Sequence, residues 1–517
     1  MSSSPPAPAT PGVAPHSPPA PRLGLVLLVC CLAQFLVTLS VAIVNVALPD
    51  IQRGLGFSAE SLQWVVNAYT VTFAGFLLLG GRIADLFGRR RIFLAGVALF
   101  ALASLAGGLS QNAGTLVAAR AVQGLAAAVI APTTLAVLGT SFKDPHQRHR
   151  AFGAWGAVSG AGGAFGALAG GALTDAFSWR WVLFVNLPIG VLLLAGIAWG
   201  ISELRHAGED RRIDVAGALT VTLGLLALVL GIVQSGPHGW GSAATLVPLL
   251  GGLALLGAFV LVEGRFAPQP LIPLGIFRSR SVVAANVVAM TSGAALFSMF
   301  YFLTLFLNQV RDYSPLRTGF AYLPLALAIM VAAQFSAALV RVLGPRTTLL
   351  VSMALTAAGL LWLSRLTEDS GFAGGLLGPT LVVGIGQGIS MSASAIAGVA
   401  GVRPQQAGLA SGLLNATRQL GGALGLAVVA AVATSRADGL LDGVARPTAE
   451  LARHAQASGH PLSIAVAAAL SAVGLLASLA APGRSPAPTG TRTGGDSAAP
   501  APAAAPAATG TTGPGEI

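Results

Sequence analysis

The chain has 517 residues, of which 54% are hydrophobic and only 9% charged, a balance that excludes a string of soluble domains and reads as a polytopic membrane protein. Its net charge of +11 does not point to nucleic acid, because the arginines are scattered over short segments rather than gathered on one domain. The two cysteines, Cys30 and Cys31, are adjacent, which leaves no disulfide framework or cysteine-based metal site.

Residues 1–21, rich in Pro, Ser and Ala, read as a disordered tail. After Arg22 comes an apolar run too long for a signal-peptide core, so a retained first helix over 23–47 is expected. Further runs long enough to cross about 30 Å of hydrocarbon follow to 461–481, giving fourteen spans. A β-barrel is excluded, because its strands alternate over about ten residues. The predicted class is an all-α membrane protein of 14 transmembrane helices. Its parts are a six-helix bundle at 22–203, an inserted pair at 204–265, a second bundle at 266–481 and a disordered tail at 482–517. With both termini in the cytoplasm, most Lys and Arg fall on the cytoplasmic side, as the positive-inside rule requires. Arg120 and Arg418 remain inside spans, where a charge costs at least about 2.5–3.5 kcal/mol and marks a functional or strongly paired residue. No Asp or Glu is expected in the middle of a span: Asp50, Asp175, Asp214 and Glu263 are placed at helix ends. All seven histidines are placed outside the spans.

The chain also repeats itself. "LFGRRRIFL" (86–94) returns as "VLGPRTTLL" (342–350), and "GGAFG" (162–166) as "GGALG" (421–425). Gly153 with Gly412, and Gln123-Gly124 with Gln387-Gly388, keep nearly the same offset. Parallel six-helix repeats are a transporter architecture, with the substrate site near the midplane between the halves.

Several stretches resemble signatures of the major facilitator superfamily, in its fourteen-helix drug:proton antiporter branch. They include "GRIADLFGRRR" (81–91), "RAVQGLAAA" (120–128), "GAGGAFGALAGG" (160–171) and "WRWVLFVNLPIG" (179–190). "YSPLRTGFAYLP" (313–324) and "GLASGLLNATRQLGGALG" (408–425) complete the set. The resemblance covers about residues 23–481. It implies a cytoplasmic gate at Gly81, Asp85, Gly88, Arg89 and Arg90, the charged members acting as a latch. It also implies a cavity or coupling set of Ser40, Asn45, Arg120, Gln123, Asn415 and Arg418. Gly162, Gly166, Gly170 and Gly171 are the antiporter-type helix-packing positions. A simple topology anchor at 81–91 and an arginine snorkelling from position 120 are the plainer readings of the same residues.

Two departures stand out. The branch's Gly-Pro step is Gly166-Ala167 here, and in "LSVAIVNVALP" (39–49) Ser40 stands where the branch has an acid. The expected function is secondary active export of a small organic compound, such as a drug, antibiotic or secondary metabolite. A neutral or anionic substrate is favoured by the two intramembrane arginines. The resemblance implies proton antiport. With Ser40 in the acid's place, the alternative is an uncoupled facilitator or a substrate sensor that keeps the fold. A P-loop is excluded, since the one lysine, Lys143, follows Phe142 rather than Gly. No catalytic triad or metal cluster is legible, so neither an enzyme nor a cofactor is expected. The expected partners are the small-molecule substrate, protons and the lipid bilayer, and no nucleic acid. A monomer in the plasma (inner) membrane is the expected form.

Overall fold

The computed structural model describes residues 23–142, 144–201, 214–267, 270–366, 370–400, 402, 406–441, 449–481 and 483. The tail expected at 1–21, nearly all of that at 482–517, and most of the link at 204–213 lie outside the described residues. Among the described residues, fourteen helices are long and apolar enough to cross a membrane. They are α1 (Leu23–Leu55), α2 (Trp64–Phe87), α3 (Arg89–Gly108), α4 (Ala113–Ser141), α5 (His146–Ala176), α6 (Trp181–Gly200) and α7 (Val215–Gly236), followed by α8 (Ala243–Phe266), α9 (Arg280–Val310), α10 (Pro315–Leu343), α11 (Pro345–Leu363), α12 (Gly375–Ala400), α13 (Gly408–Ala437) and α14 (Gly459–Ser478). Helices are the form such sequences take, because hydrocarbon offers no partner to an open backbone N–H or C=O.

The internal repeat is visible in the packing. α5 lies along α1 as α13 lies along α9; α2 pairs with α4 as α10 pairs with α12. The close approaches come from glycine. A Cβ on Gly166 would stand 2.8 Å from the Ala42 methyl, and one on Gly170 would stand 2.6 Å from the Ile43 carbonyl oxygen. In the second half, Gly421 and Gly425 meet Met290 and Ala294 of α9 in the same way. The helix-to-helix corners repeat too: Gly88 has φ 101° and Gly344 has φ 83°. Side chains rarely adopt this backbone region, so glycine is what allows α2 to turn directly into α3 and α10 into α11.

Helices alternate in direction, so the Gly88 and Gly344 turns share one face, here the glycine-turn face. The halves seal at the opposite face. There Gly171 of α5 meets Pro315 of α10, Gly319 meets the Ala167 carbonyl, and Gln309 Nε2 donates to Gln52 Oε1 at 3.2 Å. Toward the glycine-turn face of α5, a Cβ on Gly153 or Gly156 would touch nothing. α7 and α8 pack as a pair, and α7 lies across both α2 and α13. Val71, Leu225, Val229, Ala423 and Ala427 form one apolar cluster there.

Many helix boundaries differ from those read in the sequence; α2, for one, runs on to Phe87 and takes in Asp85. α1 runs on through Pro49 to Leu55, so Asp50 lies inside the helix, paired with Arg53 at 2.7 Å. Glu263 is buried in the last turn of α8, where it accepts from the Leu271 and Ile272 amides. The last span was placed at 461–481, but one helix runs Ala449–Ser478 straight through Pro461. His460 is therefore not outside the spans: it is buried in α14. Proline favours a first turn, yet inside a packed bundle a neighbouring helix can tolerate the lost hydrogen bond.

Candidate functional site

Arg120 sits on the first half of α4 and is only 1% exposed. Its Nε donates to the Val65 carbonyl at 2.9 Å. Its Nη1 donates to Ser40 Oγ at 3.2 Å and Gln123 Oε1 at 3.0 Å, and its guanidinium carbon lies 4.4 Å from the Tyr69 ring centre. Gln123 passes the chain on: its Nε2 donates to Ser104 Oγ at 2.6 Å, which also accepts from Asn186 Nδ2 at 3.3 Å. One polar line thus runs Ser40–Arg120–Gln123–Ser104–Asn186, joining α1, α4, α3 and α6, with Tyr69 of α2 as the wall. The snorkelling reading of Arg120 fails, because its head group points into the bundle and not to a water interface.

Every group described around this guanidinium is neutral. The cation is held by a hydroxyl, an amide oxygen, a backbone carbonyl and an aromatic face. Such contacts satisfy its geometry without cancelling its charge, unlike a carboxylate at Ser40's position, which would do both. Asn45, also expected here, instead donates to the Val41 carbonyl of its own helix at 2.9 Å.

The second half has its own polar set. Arg418 Nη2 donates to Ser394 Oγ at 3.2 Å, Thr417 Oγ1 donates to Asn286 Oδ1 at 2.9 Å, and Gln387 pairs with Ser292 at 2.6 Å. These bonds tie α13 and α12 to α9. Asn415 is half-buried beside them. The two arginines therefore anchor separate networks, one in each half, rather than one shared site.

At the glycine-turn face Arg89 makes two bonds to Asp85 Oδ1, at 2.8 Å from Nε and 2.7 Å from Nη2. Its Nη1 reaches the Ala136 carbonyl and Thr140 Oγ1, each at 3.2 Å, and Arg90 Nη2 reaches the Ala198 carbonyl at 2.8 Å. Gly81 lets α2 approach Pro132 of α4. The expected latch residues do meet, but each described contact ties α2 and α3 to α4 and α6, within the first half.

Among the glycines, Gly162, Gly166 and Gly170 form the expected stripe against α1, while Gly171 faces α10 across the seam. Tyr69, Ser104 and Asn186 were missed as site residues. Asn186 lay within a recognised stretch, but nothing local in the sequence marks a buried tyrosine or serine as an arginine's surroundings.

With this architecture in view, the family model that matches residues 30–426 is that of the Major Facilitator Superfamily. The chain belongs to that family. It is 44% identical to a cephamycin export protein of Amycolatopsis lactamdurans over 83% of this chain and 87% of that one. It is 41% identical to a puromycin resistance protein of Streptomyces alboniger over 89% and 91%. A tetracenomycin C resistance and export protein of Streptomyces glaucescens is 33% identical over 79% and 76%. Among solved structures, a bacterial homolog of the human lysosomal transporter Spinster has the same fold, with TM-score 0.64 at 17% identity over 90% and 98% of the chains. This Major Facilitator Superfamily chain is a multi-pass membrane transporter, and the shared fold accounts for its repeated halves.

Proposed function

We propose that the protein exports a small organic compound of the antibiotic or secondary-metabolite kind by alternating access across the plasma membrane. The observation that carries this is its similarity, over most of both chains, to export and resistance proteins for such compounds. Both termini and the glycine-turn face are assigned to the cytoplasm on the distribution of arginines, and the sealed face is then external. The halves at 22–203 and 266–481 rock against each other, and Asp85, Arg89 and Arg90 serve as a hinge clamp within the first half. Two guanidiniums inside the spans, those of Arg120 and Arg418, favour a neutral or anionic substrate over a cationic one. The chain works as a monomer, since the two halves supply both sides of the pathway.

Ser40 bears on the energy source. A serine hydroxyl does not titrate in any accessible range, so position 40 carries no proton here, and Asp50 is the carboxylate left in the first helix. Export is accordingly not obligatorily proton-coupled through position 40, which favours facilitated efflux over strict antiport. Export assays in cells test the substrate reading: resistance to neutral or anionic compounds is expected. Protection confined to lipophilic cations would contradict it.

A further inference from the structure

His460 is a titratable group that the export reading does not use. It is 5% exposed, and neither ring nitrogen has a hydrogen-bond partner. Its described neighbours are two aromatic rings of α9, Phe302 at 5.9 Å and Phe306 at 6.4 Å between ring centres. Phe306 opens the π-helical turn Phe306–Val310 that ends α9. That turn carries Gln309, which crosses to Gln52 of α1, and Asn308, whose Nδ2 donates to the Tyr313 carbonyl at 2.9 Å. His460 therefore braces the root of the seal between the halves.

The same seal leaves other polar atoms without partners: Thr174 Oγ1 on α5 and Thr318 Oγ1 on α10. Buried polar atoms are normally paired. Polar atoms left unpaired at a seam gain partners when water reaches them in a second conformation.

We propose that His460 is a proton-binding site of this seal, neutral while α1, α9 and α14 are packed and protonated from the external solution once that face opens. Naming the face external rests on the orientation given above; the site itself rests on the packing. A neutral imidazole tolerates an aromatic slot, whereas an imidazolium with no acceptor there is strongly disfavoured. Among the described residues, the elements packed on α14 supply no compensating charge at the ring; Asp50 on α1 is paired with Arg53, and the side chain of Asp438 near the end of α13 lies outside the described residues. α9 presents Tyr301, Phe302 and Phe306, with Arg311 and Asp312 beyond the π turn. Arg365 after α11 and Arg436 on α13 are exposed. On the same helix, Glu450, Arg453 and His454 have side chains outside the described residues. The sign follows directly. Packed, the ring offers an added proton no acceptor, whereas the open face offers it water, so falling pH shifts the balance toward the open state. Each unit of difference in affinity changes the ratio about tenfold once both states titrate.

The test is a distance measurement by pulsed spin-label spectroscopy. Labels go on Arg53→Cys in α1 and Arg365→Cys after α11, both exposed on the sealed face, in a protein carrying Cys30→Ala and Cys31→Ala. It is run in detergent micelles without substrate between about pH 8 and pH 5, a range that brackets imidazole titration. Both faces then see one pH, so neither the membrane orientation nor the export reading enters the result. The short distance should give way to a longer one as pH falls, about tenfold or more in population ratio, and His460→Phe should hold the ratio seen at pH 8. His460→Gln should behave like His460→Phe, and it replaces that variant if the larger ring does not fold. An unchanged pH response in the neutral variants, or no response with His460 present, would overturn the proposal.

Discussion

A single guanidinium organises the first half. Arg120 spends its donors in three directions, toward Val65, Ser40 and Gln123. An ammonium is a point charge and does not reproduce that fork. Arg120→Lys is therefore expected to lower flux at least about tenfold, the scale of one lost charge-assisted bond at about 1.5–3 kcal/mol. The amount of protein in the membrane should stay nearly unchanged, as quantitative blotting against flux will show. Full activity in Arg120→Lys would mean that the fork has no part in transport. The sequence announced Arg120 plainly, because a charge inside an apolar run is costly and conspicuous. It did not announce Tyr69 or Ser104. Buried neutral side chains carry no such cost, and their roles depend on which helix faces which. His460 was misplaced for a related reason: the last apolar run was taken to begin at 461, and only packing shows the helix continuing on its N-terminal side.

At the scale of helices, the fold was legible wherever small residues repeat. The Gly162–Gly166–Gly170 stripe and its counterpart at Gly421 and Gly425 both pack where the internal repeat put them. What spacing alone did not reveal is that Gly171, the next residue along, faces the other half of the molecule. The corners make a matched prediction. Gly88→Ala and Gly344→Ala each force a side chain into a positive-φ position, which costs about 1–3 kcal/mol. Both variants should lower the unfolding midpoint in detergent by similar amounts, and a large effect at one corner alone would argue against equivalent roles in the two halves. Asp85→Asn takes away the charge opposite Arg89 in a pair that is partly exposed, with side chains at 38% and 13%. Its effect on stability should therefore be small, about 1 kcal/mol or less. Transport, by contrast, should fall clearly if the clamp holds α2 and α3 to α4 during rocking. Equal transport by Asp85→Asn and wild type would reduce the stretch to a topology anchor.

For the whole molecule, the two halves touch most closely where α5 meets α10. Bulk at Gly171 or Gly319 should wedge the seam apart, since a Cβ there already meets Pro315 or the Ala167 carbonyl. Gly319→Ile is expected to populate the conformation open at the sealed face, with longer Arg53–Arg365 label distances at every pH; unchanged distances would show that the seam yields elsewhere. Export direction and energy source are also properties of the whole cycle, and here the first helix is decisive. Ser40 donates nothing that titrates, and Arg120 beside it is held by neutral groups. An aspartate at position 40 would face that guanidinium at hydrogen-bonding range and restore both a pair and a proton acceptor. The most direct measurement is flux of a transported compound in reconstituted vesicles, with and without an imposed pH gradient, for the wild type and Ser40→Asp. The wild type should move its substrate only downhill whether or not the gradient is imposed, and Ser40→Asp should make uphill movement depend on the gradient. Strong uphill transport driven by the gradient in the wild type would contradict the account.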